Sequence, residues 1–334
     1  KKLYALKESE NVVFVHGIGK RKTPLQKSIE TLEGYLSRFK EYNQKIHICG
    51  KRNSYSKTDH DATFMRMKED AMGNGQLKPA YNLQHGVDSE YITWLTIGPQ
   101  PTDTTTLIPF LKDAEAHLKF KYTNITADAG YESEENYLFL EGNGQLSYIK
   151  PANYEISKTR KYRNDIGKIE NMEYDEKADV YTCRNNQKLT VDHISHSKSK
   201  TGYVSEKTIY KCENCESCSY KKECIKGNHS KVPFEDRTKN LYVSRKFNQY
   251  REEDLERITS EKGIVLRVNR SIQSEGSFGD LKEDTGFRRF RYRGNANVEA
   301  QSILLAIAHN VRKLHQKIQN GKTGTHLFAL KKSA

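Results

Sequence analysis

The chain is short of the residues that build membrane spans and large dry interiors. Apolar residues make up 35% of its 334, and no run of them approaches the length that crosses a bilayer. A helical membrane protein is thereby excluded, and a soluble protein with a lean core and much wetted surface is expected. Internal repeats and low-complexity tracts are missing too, which excludes repeat architectures. Cysteine is scarce outside one place: of six, only Cys49 and Cys183 lie beyond the stretch Cys212, Cys215, Cys218 and Cys224. No export signal is visible, so that crowding reads as a metal site before disulfides. Lys1 is not an initiator methionine, and the chain reads as a fragment or a processed product. Residues 14–19, Phe-Val-His-Gly-Ile-Gly, invite comparison with a hydrolase oxyanion strand, but no Gly-x-Ser-x-Gly elbow follows.

What the chain does have is positive charge. Lysine and arginine number 56 against 43 aspartates and glutamates, a formal net charge of +13. A balance of that sign favours polyanions, nucleic acid above all, although ordinary solubility accounts for it as well.

Periodicity gives an α/β order. Residues 11–15 read as a strand. Thr23 can cap a helix with Pro24 at its first position, and Leu25, Ile29, Leu32, Leu36 and Phe39 then recur at helical spacing. Residues 80–87 and 91–97 read as a hairpin, 104–118 as a helix, and 125–127 as a short strand ending at Asp128. Ser133 can cap a helix to Leu140, and residues 146–149 make another strand. Residues 152–262 break the pattern and hold five of the six cysteines, so they read as an insertion. A helix resumes at 267–284, with Ile272, Phe278 and Leu281 at spacings that could face a core. Residues 297–318 form a last helix, apolar over most of its circumference and therefore expected to be buried.

Two carboxylates stand out on chemical grounds. Asp128 ends a strand just before Ala129-Gly130, and ligands of open α/β sheets bind at the carboxyl ends of strands. Glu275 lies on the later helix beside the run Arg288, Arg289, Phe290, Arg291, Tyr292 and Arg293. If the insertion loops out, the two could meet and hold Mg²⁺, whose oxygen ligands suit phosphodiester chemistry. Each has a plainer account: Asp128 as a turn or cap residue, Glu275 as a solvated helix residue. The arginines can grip phosphates while the aromatics stack on bases; equally, the alternation suits a strand with core aromatics and solvated arginines. The cysteines Cys212, Cys215, Cys218 and Cys224 suit tetrahedral Zn²⁺, with Cys183 as a fifth thiol. Iron–sulfur ligation and a set of reduced surface thiols remain open for them.

Residues 58–70 (Thr-Asp-His-Asp-Ala-Thr-Phe-Met-Arg-Met-Lys-Glu-Asp), 75–82 (Gly-Gln-Leu-Lys-Pro-Ala-Tyr-Asn), 127–131 (Ala-Asp-Ala-Gly-Tyr) and 270–279 resemble the DDE transposases of bacterial insertion sequences. The resemblance runs from about residue 25 to the end. It implies a ribonuclease H-like mixed sheet flanked by helices, with an inserted cysteine-rich subdomain. It also implies four parts: a truncated helical segment 1–72, core 73–151, insertion 152–262, and a C-terminal core part 263–334. The family's second catalytic Asp falls on Asp128 and its Glu on Glu275. The first, in a stretch resembling Asp-Gly-Thr-Lys, has no counterpart here, and Asp59 and Asp61 are expected to be structural or substrate-adjacent.

The resemblance therefore implies a transposase using Mg²⁺ or Mn²⁺ on double-stranded DNA, paired as a homodimer on that DNA, in the bacterial cytoplasm and nucleoid. It also implies little or no activity in this chain alone. A catalytically dead DNA-binding remnant, or a metal-dependent nuclease on the same core, are the alternatives.

Overall fold

The computed structural model describes residues 1–67, 73–227, 230–284, 286–287 and 289–324. It is a mixed α/β chain of two compact units: residues 1–81 with 293–295, and the remainder.

In the first unit, helix α1 (Lys2–Ser9) precedes the long helix α2 (Pro24–Cys49). The start of α2 follows the sequence signal: the Thr23 side chain accepts from the Gln26 amide, and Pro24 needs no partner for a missing N–H. Residues 11–15 form no strand. The buried Gln26 holds Val15 instead, donating to its carbonyl at 2.8 Å and accepting from its amide at 3.1 Å. Strands β1 (Thr63–Arg66) and β2 (Leu77–Ala80) pair antiparallel. Asp59 and Asp61 serve as local anchors. Asp59 accepts from the Tyr81 hydroxyl at 2.9 Å and from the Gly294 amide, and Asp61 accepts from the Asn295 amide.

The second unit opens with the predicted hairpin, β3 (Asn82–Asp88) and β4 (Tyr91–Gly98). Its two-residue turn places Ser89 at φ 51° and Glu90 at φ 73°, the left-handed conformation that matches strand twist. A 3₁₀ turn (Asp103–Thr105) leads into α3 (Leu107–Leu118). Strand β5 (Asn124–Ala127) follows, then α4 (Glu134–Gly142), capped by Ser133 as expected, and β6 (Leu146–Ile149). β5 and β6 pair parallel. They form a sheet separate from β3 and β4.

Short helices α5 (Tyr154–Ser157) and α6 (Arg160–Arg163) lead to five antiparallel strands: β7 (Glu173–Asp175), β8 (Val180–Thr182), β9 (Lys188–Lys198), β10 (Val204–Cys212) and, after the short α7 (Lys221–Cys224), β11 (Asn240–Val243). Their core is Tyr181, Leu189, Tyr210, Leu241 and Val243 with Cys212 and Cys215.

Residues 245–259, inside the range read as an insertion, form α8 (Arg245–Thr259), whose Tyr250 packs with Leu107, Leu111, Tyr137, Leu140 and Ile149. One ion pair and one buried carboxylate fasten it. Arg251 grips the buried Glu132 through two hydrogen bonds, at 2.7 and 3.0 Å. Asp254, fully buried, accepts from the Ile149 amide and the Ser147 hydroxyl, both at 2.7 Å, with Arg257 beside it.

Helix α9 (Glu261–Arg270) runs through a π-helical turn at Ser271–Glu275 into α10 (Gly276–Gly279). The wider turn shifts the phase of the helix, so residues before and after it share no single face. Leu281 is buried as expected, but Ile272 is exposed, which corrects the sequence expectation.

The last helix, α11 (Asn295–Gln319), is a second correction. Its apolar residues Ile303, Leu304, Ile307, Val311, Leu314 and Ile318 are exposed. It buries Val298, Ser302, Ala306, His309 and Lys317 instead, and on that side His309, Lys317 and the neighbouring Asn310 meet the hairpin backbone. Lys317 donates to the Ser89 carbonyl, and His309 meets the Glu90 carbonyl at 3.1 Å. The Asn310 amide bonds both backbone groups of Ile92 at 2.8 Å. No helix among the described residues is long and apolar enough to cross a membrane.

Candidate functional site

Asp128 stands where the periodicity puts it, immediately after β5, capping a 3₁₀ turn (Ala129–Tyr131) by accepting from the Gly130 amide at 3.0 Å. Its other oxygen meets Arg270 Nη2 at 3.2 Å, at the end of α9. About half of the Asp128 side chain is open to solvent.

A second carboxylate is at hand that sequence reasoning missed. A side chain built on Gly130 would touch Asp128 Oδ1 at 3.1 Å and Asp103 Oδ2 at 3.2 Å, so the two acids flank one glycine. Asp103 is held there by Asn82 Nδ2 at 2.7 Å and Gln84 Nε2 at 3.0 Å. Burial, then the charges of Asp103 and Asp128, push the Tyr131 hydroxyl well above the usual phenol range; Tyr131 donates to Gln84. The only sequence signal for Asp103 was its place in a threonine-rich turn before a helix.

Glu275 ends the π-helical turn and is exposed. The helical stretch that carries it lines a cavity of about 660 Å³ with Arg270, Gln273, Ser274 and Phe278, and Asp128 and Asp103 line the same cavity. Among the described residues no group of three or more His, Cys, Asp or Glu side chains is arranged to hold a metal ion. His85 of β3 stacks flat on Phe278 at 4.3 Å, and burial, with His309 adding to it, pushes its imidazole down to about 4.

The basic run is not a strand. Arg289, Arg291 and Arg293 are exposed on a bent segment, the rings of Phe287 and Phe290 meet edge to face at 5.5 Å, and Arg288 lies outside the described residues. The thiols do converge. Cys183, Cys212, Cys215, Cys218 and Cys224 all line one small cavity of about 20 Å³. Burial and the neighbouring Cys215 push the Cys212 thiol up to about 12, and burial raises Cys224 as well.

Residues 182–315 match a family model described as a transposase DDE domain. The match supports a DDE transposase family, and with it a transposase function and a DNA substrate. It runs from the end of β8 into α11, and so takes in Glu275, the exposed arginines and all the clustered cysteines. Asp128 and Asp103 lie before it. The transposase match covers less than half of the chain. No curated protein and no solved structure matches the chain.

Proposed function

We propose that the chain is the catalytic part of a bacterial insertion-sequence transposase on a ribonuclease H-like core. It would cut DNA at the element's ends with water and join the freed 3′-hydroxyl to target DNA. The observation that carries this reading is the transposase DDE match around Glu275, joined to Asp128 by the ion pair with Arg270 on the same helical stretch.

Asp128 and Glu275 are the residues proposed to hold Mg²⁺ or Mn²⁺; their donors are hard oxygens, which such ions prefer. A bound ion would act as a Lewis acid on the phosphodiester and activate the attacking oxygen. An Asp128 carboxylate that ligates a cation gives up Arg270, whose planar guanidinium then suits a phosphate. Arg289, Arg291 and Arg293, with Arg288, offer further phosphate contacts along the DNA, on which two copies would act as a pair. The thiols Cys212, Cys215, Cys218 and Cys224 are proposed to hold a structural Zn²⁺; the lining of one small cavity by these four and Cys183 supports that reading, although they are not arranged around an ion in this structure. The expected place of work is the bacterial nucleoid.

Residues 1–334 hold no counterpart of the family's first catalytic Asp, so this chain alone is expected to bind DNA in a salt-sensitive way and to cut it weakly. The test is incubation with Mg²⁺ and a duplex carrying the repeats that flank the coding DNA, reading cleavage and joining separately. Robust cleavage by the 334-residue chain, lost in Asp128→Asn, contradicts weak activity. Cleavage without joining favours a nuclease, and binding alone favours a DNA-binding remnant. Coding DNA without flanking inverted repeats would count against the transposase reading altogether.

A further inference from the structure

The greater part of helix α2 is bare. Only its first turns are covered, where Gln26 and Ile29 are buried and the Tyr4 hydroxyl of α1 donates to Glu33. Every residue from 31 to 44 is exposed. A stretch of that length holds a helix poorly in water by itself, because most helical stability in proteins comes from packing an apolar face. The faces of α2 are unequal. Leu32, Leu36, Phe39 and Ile46 are 53%, 54%, 62% and 66% exposed. With Asn43 between the last two, they recur in steps of four, three, four and three residues. That is the heptad spacing of a coiled-coil seam, with Leu32, Phe39 and Ile46 at d and Leu36 and Asn43 at a. Ile29 continues the series but is already buried. On the flanks, the exposed Tyr35 and Tyr42 occupy g positions, and Glu33, Lys40 and His47 occupy e positions.

The seam is apolar except at one layer, and that layer selects the occupant. Against a parallel, in-register copy of α2, a residues meet a residues and d residues meet d residues. Asn43 then faces Asn43 of the second copy, and each side-chain amide donates to the other's carbonyl. An antiparallel copy would set Asn43 against Leu32 and leave the amide unpaired in an apolar layer. It would also bring Glu33 to Lys40, but an exposed ion pair is worth less than a buried amide left unpaired costs. The other bare stripe of the chain is no better match. Leu304, Ile307, Val311, Leu314 and Ile318 of α11 recur in steps of three, four, three and four, with no polar residue at those positions to meet Asn43. The flanks suit the parallel arrangement. Each g residue meets an e residue of the next heptad in the partner, so Tyr35 meets Lys40, Tyr42 meets His47 and Ser28 meets Glu33. No like charges are opposed.

We propose that α2 is a dimerisation surface, closed over residues 32–46 by a parallel, in-register second copy of this chain. It gives the paired copies of the transposase reading a surface, but it rests on α2 alone and needs neither DNA nor metal. Its failure therefore leaves that reading where it stands.

Sedimentation equilibrium of the 334-residue chain, without DNA, reads the association. The expected result is a reversible monomer–dimer equilibrium at micromolar concentrations. Leu36→Glu with Phe39→Glu should raise the dissociation constant about a hundredfold or more, because two layers lose apolar burial in both copies. Amide exchange in β1–β4 should not change, which shows that the chain still folds. Asn43→Asp and Asn43→Lys, each alone, should weaken association about tenfold by setting like charges opposite one another. Mixed together, they should associate at least about tenfold more tightly than either alone, because position 43 then meets its opposite charge. A monomer at every concentration would overturn the proposal. So would a dimer indifferent to Leu36→Glu with Phe39→Glu, or one dissolved by Ile307→Glu with Val311→Glu, which would place the interface on α11. A mixture no tighter than either Asn43 variant alone would overturn it as well, since position 43 then faces something other than itself.

Discussion

The second unit holds two regions of β-structure that differ in how completely they are paired. Residues 173–243 form five strands in unbroken antiparallel order, with each strand next to its sequence neighbour, although the connection from β10 to β11 is long and carries α7. Residues 82–149 form two separate pairs, one antiparallel and one parallel. The difference follows from chain topology. A meander completes its ladder between sequence neighbours, whereas a helical crossover lets the chain leave one strand without pairing the next beside it, as α3 does between β4 and β5. The first region closes on itself around its tyrosines and thiols. The second relies on helices for its outer edges and leaves the inner ones facing a cavity. Local sequence can therefore specify a sheet fully in one case and only its halves in the other.

The largest expected effect tests whether the paired region is as self-sufficient as its ladder implies. If zinc holds the thiols, a strong chelator should unfold β7–β11 far more than β3–β6, because structural zinc supplies folding free energy directly. Amide exchange with and without chelator measures this, and identical exchange in the two conditions removes zinc from the account.

Next is the seal on the split region. Asp254→Ala strips the buried partner from the Ile149 amide, the Ser147 hydroxyl and Arg257. Breaking a buried ionic network of this kind costs about 3–5 kcal/mol, read by urea unfolding. A loss below about 1 kcal/mol would mean that water seals the edge equally well.

A smaller effect comes from His85, which ties β3 to Phe278. The folded imidazole titrates near 4, below the ordinary range of the unfolded chain. Stability from the neutral ring is full above about pH 6.5 and is lost as pH falls towards 4, up to about 3 kcal/mol in all. The slope between those values should flatten in His85→Leu; an unchanged slope would place the titration elsewhere.

Much of the split region was legible because its signals are local. The hairpin, the Ser133 cap and the position of Asp128 at a strand end all follow from spacing and turn chemistry, as does the Thr23–Pro24 helix start in the first unit. What was not legible depends on contacts distant in sequence. Arg270 lies 142 residues from Asp128, so their ion pair leaves no local trace. Asp103 reads as a turn residue until Gly130 is folded beside it. The apolar circumference of α11 pointed to burial, yet the helix buries the face whose Asn310, His309 and Lys317 satisfy the hairpin backbone. Hydrophobic counting misses a helix whose docking is set by hydrogen-bond demand at a sheet edge. The π-helical turn before Glu275 defeated the reading of Ile272, since periodicity assumes a constant phase.

The central claim is that Asp128 and Glu275 act as a pair on one divalent cation. The most direct test is a calorimetric titration of Mg²⁺ into the wild-type chain, Asp128→Asn and Glu275→Gln, with folding checked by circular dichroism. The account predicts that either substitution weakens binding about tenfold or more, and that the double variant is little worse than either alone, as coupled ligands require. Equal Mg²⁺ affinity in all of the proteins would contradict it.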